Sequence, residues 1–122
     1  MAILGGLPLL HCHHIEDTLD FYRQCLQFVI VNRREQDGAL AWVHIMHGDS
    51  TLMLQAAEAG EEFPVQNSIS LYFFVDNLDD QHHLIQAKNY PVSAIKETDY
   101  RMREFTVTDP EGNPVIVGQK LT

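Results

Sequence analysis

Basic residues are scarce in this chain of 122 residues, in which eight Lys and Arg stand against 17 Asp and Glu for a formal net charge of −9. An excess of negative charge is unfavourable for contact with nucleic-acid phosphates or an anionic membrane surface. It suits a neutral or cationic ligand instead. We therefore expect neither a nucleic acid nor a membrane as the partner.

Cysteine is also scarce, and long apolar runs are missing. Cys12 and Cys25 are too few for a disulfide framework, so we expect free thiols and a cytoplasmic location. No apolar run approaches the ~18 residues that span a bilayer. The apolar start Met1–Leu10 lacks the basic region and cleavage site of a signal peptide, and we assign it to the first strand and its lead-in.

Two kinds of catalytic motif are absent as well, the glycine-rich phosphate loop and the strand-to-helix nucleophile elbow. The most conspicuous cluster of candidate metal ligands is His11, Cys12, His13 and His14. It has no second ligand pair at zinc-finger spacing, so we interpret it as a strand end that runs into a helix, with His13 and His14 in solvent. His11 shares the strand parity of Leu9 and is a candidate for ligand contact.

What the sequence does contain is an internal duplication, in which a constant offset of 63 residues pairs Leu7 with Ser70 and Met53 with Ile116. Each copy has the order strand, helix and three strands. The strands of the first copy are Leu7–Cys12, Phe28–Val31, Ala39–Met46 and Thr51–Gln55, with a helix that Glu16 or Asp17 caps. Those of the second are Ser68–Val75, Val92–Ile95, Glu104–Thr108 and Val115–Val117, with a helix Leu78–Lys88 that Asn77 caps.

One copy of this unit buries only one face of its sheet, so two copies complete one curved structure. The predicted fold is α+β, with two β-α-β-β-β modules that form an open, curved mixed sheet and helices on its convex side. Module one covers about residues 5–58 and module two about 66–120, with a linker at 56–66. We predict a single domain over residues 1–122.

Alternation along the strands separates an apolar face, which should pack under the helices, from a face of mixed composition. Tyr72, Phe74 and Glu104 fall on the mixed face. For Trp42 and His44 two readings are open. A two-residue turn at Gly48-Asp49 would place them on the mixed face, whereas alignment to the second copy would place them under the helix. We favour the first, because Ala41, Val43 and Ile45 make the better helix-packing set.

Three motifs resemble those of the vicinal oxygen chelate superfamily. The stretch from His14 to Tyr22 is similar to its first-helix signature, Val75-Asp76-Asn77-Leu78 to the counterpart in its second module, and the stretch from Arg103 to Asn113 to its penultimate strand and D-P-[DE]-G-N turn. Glyoxalase I, extradiol dioxygenases and bleomycin-resistance proteins belong to this superfamily. The resemblance implies paired β-α-β-β-β modules and a homodimer.

The resemblance also bears on metal binding. Metal-dependent members hold a divalent ion on the first and fourth strands of each module, positions that correspond here to Leu7, Met53, Ser70 and Ile116. Three of these side chains are apolar, and a serine hydroxyl is a weak ligand without charged partners. We therefore expect no metal and no cofactor at the family site, as in the bleomycin-resistance branch.

The candidate ligand-binding residues share the mixed face or its rim. They are His11, Trp42, His44, Met53, Ser70, Tyr72, Phe74, Tyr100, Glu104 and Ile116. Three aromatic residues among them, Trp42, Tyr72 and Phe74, can form a clamp for a flat or cationic ligand or belong to an ordinary core or a dimer interface. Glu104, flanked by Arg101 and Arg103, is a buried acceptor, a base or a member of a surface ion pair.

Three functions are compatible with these observations. We favour a metal-free protein that binds a small organic molecule, with sequestration of an aromatic or cationic antibiotic-like compound as precedent. The alternative is an enzyme, a glyoxalase-like lyase or isomerase acting on a vicinal-oxygen substrate, for which Glu104 or His44 would be the base although nothing replaces the metal. The third is a structural or regulatory domain whose concave side is filled by its own side chains.

Overall fold

The computed structural model describes residues 1–62 and 69–122, and the chain divides into two compact units, residues 1–63 and 64–122. In the first unit the elements are β1 (Leu9–Cys12), α1 (Ile15–Leu26), β2 (Val29–Gln36), β3 (Ala39–His47) and β4 (Ser50–Ala56). The sheet order is β1-β4-β3-β2. The pair β1–β4 is parallel and the other pairs are antiparallel.

The second unit repeats this order. Its elements are β5 (Leu71–Phe74), α2 (Leu78–Ala87), β6 (Lys96–Glu97), β7 (Met102–Thr108) and β8 (Pro114–Lys120). The sheet order β5-β8-β7-β6 again combines one parallel pair, β5–β8, with antiparallel pairs. The predicted α+β class with two β-α-β-β-β modules is therefore confirmed. Within the described residues no helix has the length and apolar character needed to cross a membrane.

The structure corrects several predicted boundaries. β2 begins at Val29 and continues to Gln36, well beyond the predicted end at Val31. The strand predicted at Val92–Ile95 is reduced to a single bridge between Val92 and Val107, and regular pairing begins only at β6. Ser68, the predicted start of β5, and residues 63–66 of the predicted linker lie outside the described residues. The single domain stays a prediction.

The helix of each unit packs on one face of its own sheet. In the first unit α1 buries Phe21, Tyr22 and Cys25 at helical spacing, and the sheet buries Val43, Ile45, Leu52 and Leu54 on one side. In the second unit Leu78 and Ile85 of α2 are buried, as are Phe105, Val107, Val115 and Val117 of the sheet. The predicted apolar faces are confirmed at these positions, and the mixed faces lie on the opposite side of each sheet.

The two helices begin differently. Asn77 caps α2 as predicted, because its side-chain Oδ1 accepts a hydrogen bond from the backbone N–H of Asp80 at 3.1 Å. The residue at the cap of α1 is His14, whose side chain makes no capping bond, and Glu16 and Asp17 lie in the first turn. The prediction that one of these two acids is the cap is wrong, although their charge still favours the helix N-terminus.

Candidate functional site

The mixed face of the first unit consists of Trp42, His44, Met46, Met53 and Gln55. Strand pairing places Trp42 opposite Gln55 and His44 opposite Met53. His47 pairs with Ser50 across Gly48-Asp49, and Gly48 has the positive φ of 58° that such a tight turn needs. The first of the two readings for Trp42 and His44 is therefore the observed one, and Val43 and Ile45 occupy the helix side.

His44 carries an unsatisfied polar atom. Its Nε2 is enclosed and has no hydrogen-bond partner among the described residues. The ring of Trp42 lies beside it, with 6.4 Å between the two ring centroids. An enclosed polar atom without a partner costs about 1–3 kcal/mol, so the position is either a strain that the fold tolerates or a contact reserved for a ligand.

Replacement of this histidine tests the cost. We expect His44→Leu to raise the free energy of unfolding by about 1 kcal/mol, because an apolar side chain of similar size removes the unpaired nitrogen. His47→Leu is the matched control. The Nδ1 of His47 donates a hydrogen bond to the carbonyl oxygen of Leu26 at 2.8 Å, so we expect this variant to lower the free energy of unfolding by about 1 kcal/mol. Urea unfolding curves measure both. A less stable His44→Leu protein would contradict the assignment.

The other histidines take different places. His11 is exposed and lies opposite Gln55 at the edge of the first sheet, on the side of the mixed face. His13 is exposed as expected, and its Nε2 contacts the backbone carbonyl oxygen of Glu61 at 3.0 Å. His82 contacts the carbonyl oxygen of Ser93 at 2.8 Å. Both cysteines are buried.

The mixed face of the second unit is built around a buried carboxylate. Glu104 of β7 is only 6% exposed. Its Oε2 accepts a hydrogen bond from the hydroxyl of Tyr72 at 2.8 Å, and its Oε1 accepts one from the hydroxyl of Tyr100 at 2.7 Å. Hydrogen bonds to a charged acceptor are about twice as strong as neutral ones. We call these three residues the Tyr-Glu-Tyr cluster.

Gly118 makes this cluster possible, and the sequence reading missed it. Tyr72 lies on β5 and Glu104 on β7, with β8 between them, and Gly118 of β8 is the residue directly opposite Glu104. A Cβ atom at position 118 would collide with the Tyr72 hydroxyl and lie 2.7 Å from its Cζ. The tyrosine thus crosses β8 where that strand has no side chain. The available signal was a glycine inside a strand, which often marks a close approach.

Both tyrosines hold their protons tightly. Burial, reinforced by the hydrogen bond to Glu104, raises the pKa of Tyr72 well above its ordinary value. The hydrogen bond to Glu104 is the main cause that raises the pKa of Tyr100. Neither phenol is therefore a phenolate base near neutral pH, and each remains a hydrogen-bond donor to the carboxylate.

Of the three readings of Glu104, the surface ion pair is wrong. Arg103 points to the helix side, where its two terminal nitrogens contact the Asp79 carboxylate at 3.1 and 3.2 Å. This contact lowers the pKa of Asp79. Adjacent residues on a strand face opposite sides, so Glu104 and Arg103 are separated by the sheet. Glu104 is a buried acceptor.

Three other candidates belong to the second unit. Phe74 packs its ring 4.9 Å from that of Tyr72 and is 77% exposed. Ile116 is the strand partner of Tyr72. Ser70 is exposed and precedes β5. The second unit therefore brings together Tyr72, Phe74, Tyr100, Glu104 and Ile116, while His11, Trp42, His44 and Met53 belong to the face of the first unit.

The four positions that correspond to the family's metal ligands do not suit a metal. Leu7, Met53 and Ile116 offer no oxygen, nitrogen or thiolate ligand from their side chains, and the neutral hydroxyl of Ser70 is a weak ligand. In residues 1–62 and 69–122 no group of three or more His, Cys, Asp and Glu side chains converges in a way that could hold a metal ion.

A comparison of the sequence with protein-family models identifies the family. The model of the Glyoxalase/Bleomycin resistance protein/Dioxygenase superfamily matches residues 8–117. The chain belongs to this superfamily. No curated protein matches it in sequence.

Solved structures with this fold differ in what they are named for. A bleomycin-binding protein complexed with bleomycin is similar with a TM-score of 0.72, 18% identity, and coverage of 95% of this chain and 98% of the other. TnmS3, an antibiotic-binding protein from a Streptomyces species, is similar with a TM-score of 0.75 and 21% identity, and 98% of each chain is covered. Lactoylglutathione lyase from Agrobacterium tumefaciens is similar with a TM-score of 0.67 and 20% identity, and the match covers 98% of this chain and 96% of the other. At these identities the likeness shows the fold.

Proposed function

We propose that this protein binds a small aromatic or cationic organic molecule without a metal, and that the mixed face of the second unit is a binding surface. The observation that carries the proposal is the Tyr-Glu-Tyr cluster beside the exposed ring of Phe74. A buried carboxylate attracts a cation, and aromatic rings add contact area and cation–π attraction. The formal net charge of −9 acts in the same direction.

The superfamily supports a binding role but also contains enzymes. Two of the similar structures are named for binding bleomycin or an antibiotic, and one is named a lyase. A glyoxalase-like reaction needs an electrophile that stabilises negative charge on the substrate oxygens. The residues at the family's metal positions supply none, and Tyr72 and Tyr100 direct their only protons to Glu104. These side chains favour binding over turnover.

Thermal-shift screening on one plate tests the proposal. The compounds are divalent metals, glutathione hemithioacetals and flat cationic antibiotics. A ligand at a hundredfold excess over its Kd stabilises the folded state by about 2.7 kcal/mol, which raises the melting temperature measurably. We expect a flat cation to produce this shift and a metal alone to produce none.

The variant Tyr72→Ala is the site control, and Tyr90→Ala, which changes a partly buried tyrosine outside the cluster, is the matched one. We expect Tyr72→Ala to abolish the shift and Tyr90→Ala to retain it, with both proteins folded by circular dichroism. A metal-induced shift accompanied by turnover of a hemithioacetal would instead establish the lyase. The homodimer and the cytoplasmic location stay predictions.

A further inference from the structure

The Tyr-Glu-Tyr cluster offers a ligand only hydrogen-bond acceptors. A phenol has one proton, and Tyr72 and Tyr100 each donate theirs to a different oxygen of Glu104. What remains on all three side chains is lone pairs. We propose that the ligand group recognised here is a cation with N–H donors, a protonated amine or a guanidinium. This inference rests on the proposed function and specifies its ligand class.

The charge of the cluster points to the same group. Glu104 takes part in no ion pair with a basic side chain of the described residues, since Arg103 is engaged by Asp79 on the other side of the sheet. Lys96 lies opposite Glu104 in the strand register, but it is exposed and makes no ion pair with it. A buried carboxylate without a counter-ion is costly, and a ligand cation would offset that cost.

Access to the cluster is through the tyrosines. Glu104 itself is nearly covered, whereas Tyr100 is 60% exposed. A ligand therefore meets the phenol oxygens and the rings of Tyr72 and Phe74 first, and the carboxylate acts from behind them. An N–H group can donate to a phenol oxygen while its charge is attracted by both the carboxylate and the ring faces.

This arrangement predicts an order of affinities for ligands that differ only in one group. A primary ammonium satisfies charge and hydrogen bonding together. A quaternary ammonium keeps the charge but has no N–H donor, and an alcohol keeps a donor but has no charge. A carboxylate brings lone pairs and negative charge against lone pairs and negative charge, which is repulsive. The expected order is ammonium, then quaternary ammonium, then alcohol, then carboxylate.

A matched series on one aromatic ring tests the order. The probes are 2-naphthylmethylamine, its trimethylammonium analogue, 2-naphthalenemethanol and 2-naphthoate, titrated by calorimetry and by NMR of the tyrosine ring signals. We expect the amine to bind at least about tenfold more tightly than the alcohol. Glu104→Gln should weaken the binding of the amine by about tenfold and change the affinity for the alcohol by less than about threefold. Glu97→Gln removes the same charge from the opposite side of the sheet and should change neither.

The outcomes separate the two proposals. If the alcohol or the naphthoate binds to this face as tightly as the amine, or if Glu104→Gln leaves the amine unaffected, the proposed function stands and the N–H cation is wrong. If the quaternary probe equals the amine, charge alone is recognised and the N–H requirement is wrong. If no probe moves the signals of Tyr72 or Tyr100 and no antibiotic in the thermal-shift screen binds, both proposals fail.

Discussion

Gly118→Ala should destabilise the protein by about 1–3 kcal/mol, the usual cost of adding an atom where a packed structure has no space for it. The added methyl group would collide with the Tyr72 hydroxyl and crowd Cζ at 2.7 Å. A phenol ring is rigid, so the whole ring has to swing away and the 2.8 Å hydrogen bond to Glu104 is lost. Of its two tyrosine donors among the described residues, Glu104 then keeps Tyr100.

Urea unfolding measures the change, and a double-mutant cycle assigns it. In a Tyr72→Phe background the hydroxyl is already absent, so Gly118→Ala should cost less there than in the wild-type protein. Gly6→Ala is the control for glycine replacement as such, because no atom of residues 1–62 and 69–122 outside its chain neighbours lies within 4 Å of a Cβ at that position. Equal costs of Gly118→Ala in the two backgrounds would show that the Tyr72 hydroxyl and its hydrogen bond to Glu104 do not account for the loss.

The pH dependence gives a second readout of the same variant. The pKa of Tyr72 is raised in the folded protein, so the folded state retains a proton that the unfolded chain releases above its ordinary pKa of 10.0. The corresponding stability is fully present below about pH 10 and is lost as the pH rises toward the folded value. Gly118→Ala frees the phenol and should make this alkaline loss shallower. An unchanged slope would contradict the proposed arrangement.

The strand pattern predicted much of what surrounds this site. Periodicity separated the two faces of each sheet, and the tight turn at Gly48-Asp49 decided the side on which His44 lies. Prediction failed where tertiary contacts decide. β2 runs on through a polar stretch because an edge strand needs pairing on one side only and tolerates charge.

The hydrogen-bond partners of Glu104 could not be predicted from the sequence for a related reason. Its neighbours along the chain, Arg101 and Arg103, suggested an ion pair, but its actual partners are Tyr100 and a tyrosine 32 residues away. Because successive side chains of a strand point to opposite faces, the side chain of Arg103 lies on the other side of the sheet. The choice between acceptor and ion pair therefore depends on a contact across three strands, and on a glycine in the middle strand that only the register identifies.

The D-P-E-G-N turn that carries the resemblance to the superfamily has a structural task in this chain. Asp109 is 3% exposed. Its carboxylate accepts hydrogen bonds from the backbone N–H groups of Glu111 and Asn113 and from the side-chain amide of Asn113, each at 2.9 Å. Together they fold the chain back so that Thr108 pairs with Pro114 at the start of the β7–β8 hairpin.

Asp109→Ala should therefore lower the free energy of unfolding by about 3 kcal/mol, because it removes three partly buried hydrogen bonds to a carboxylate. Asp109→Asn keeps one acceptor oxygen, so its free energy of unfolding should fall by less. Asp49→Ala, the same change in the exposed turn of the first unit, should stay within about 0.5 kcal/mol of wild type in urea unfolding. If Asp109→Ala were as mild as Asp49→Ala, the turn would not hold the hairpin. If the variant is destabilised but the folded protein still binds the ammonium probe, the motif acts on the fold and the Tyr-Glu-Tyr cluster on the ligand.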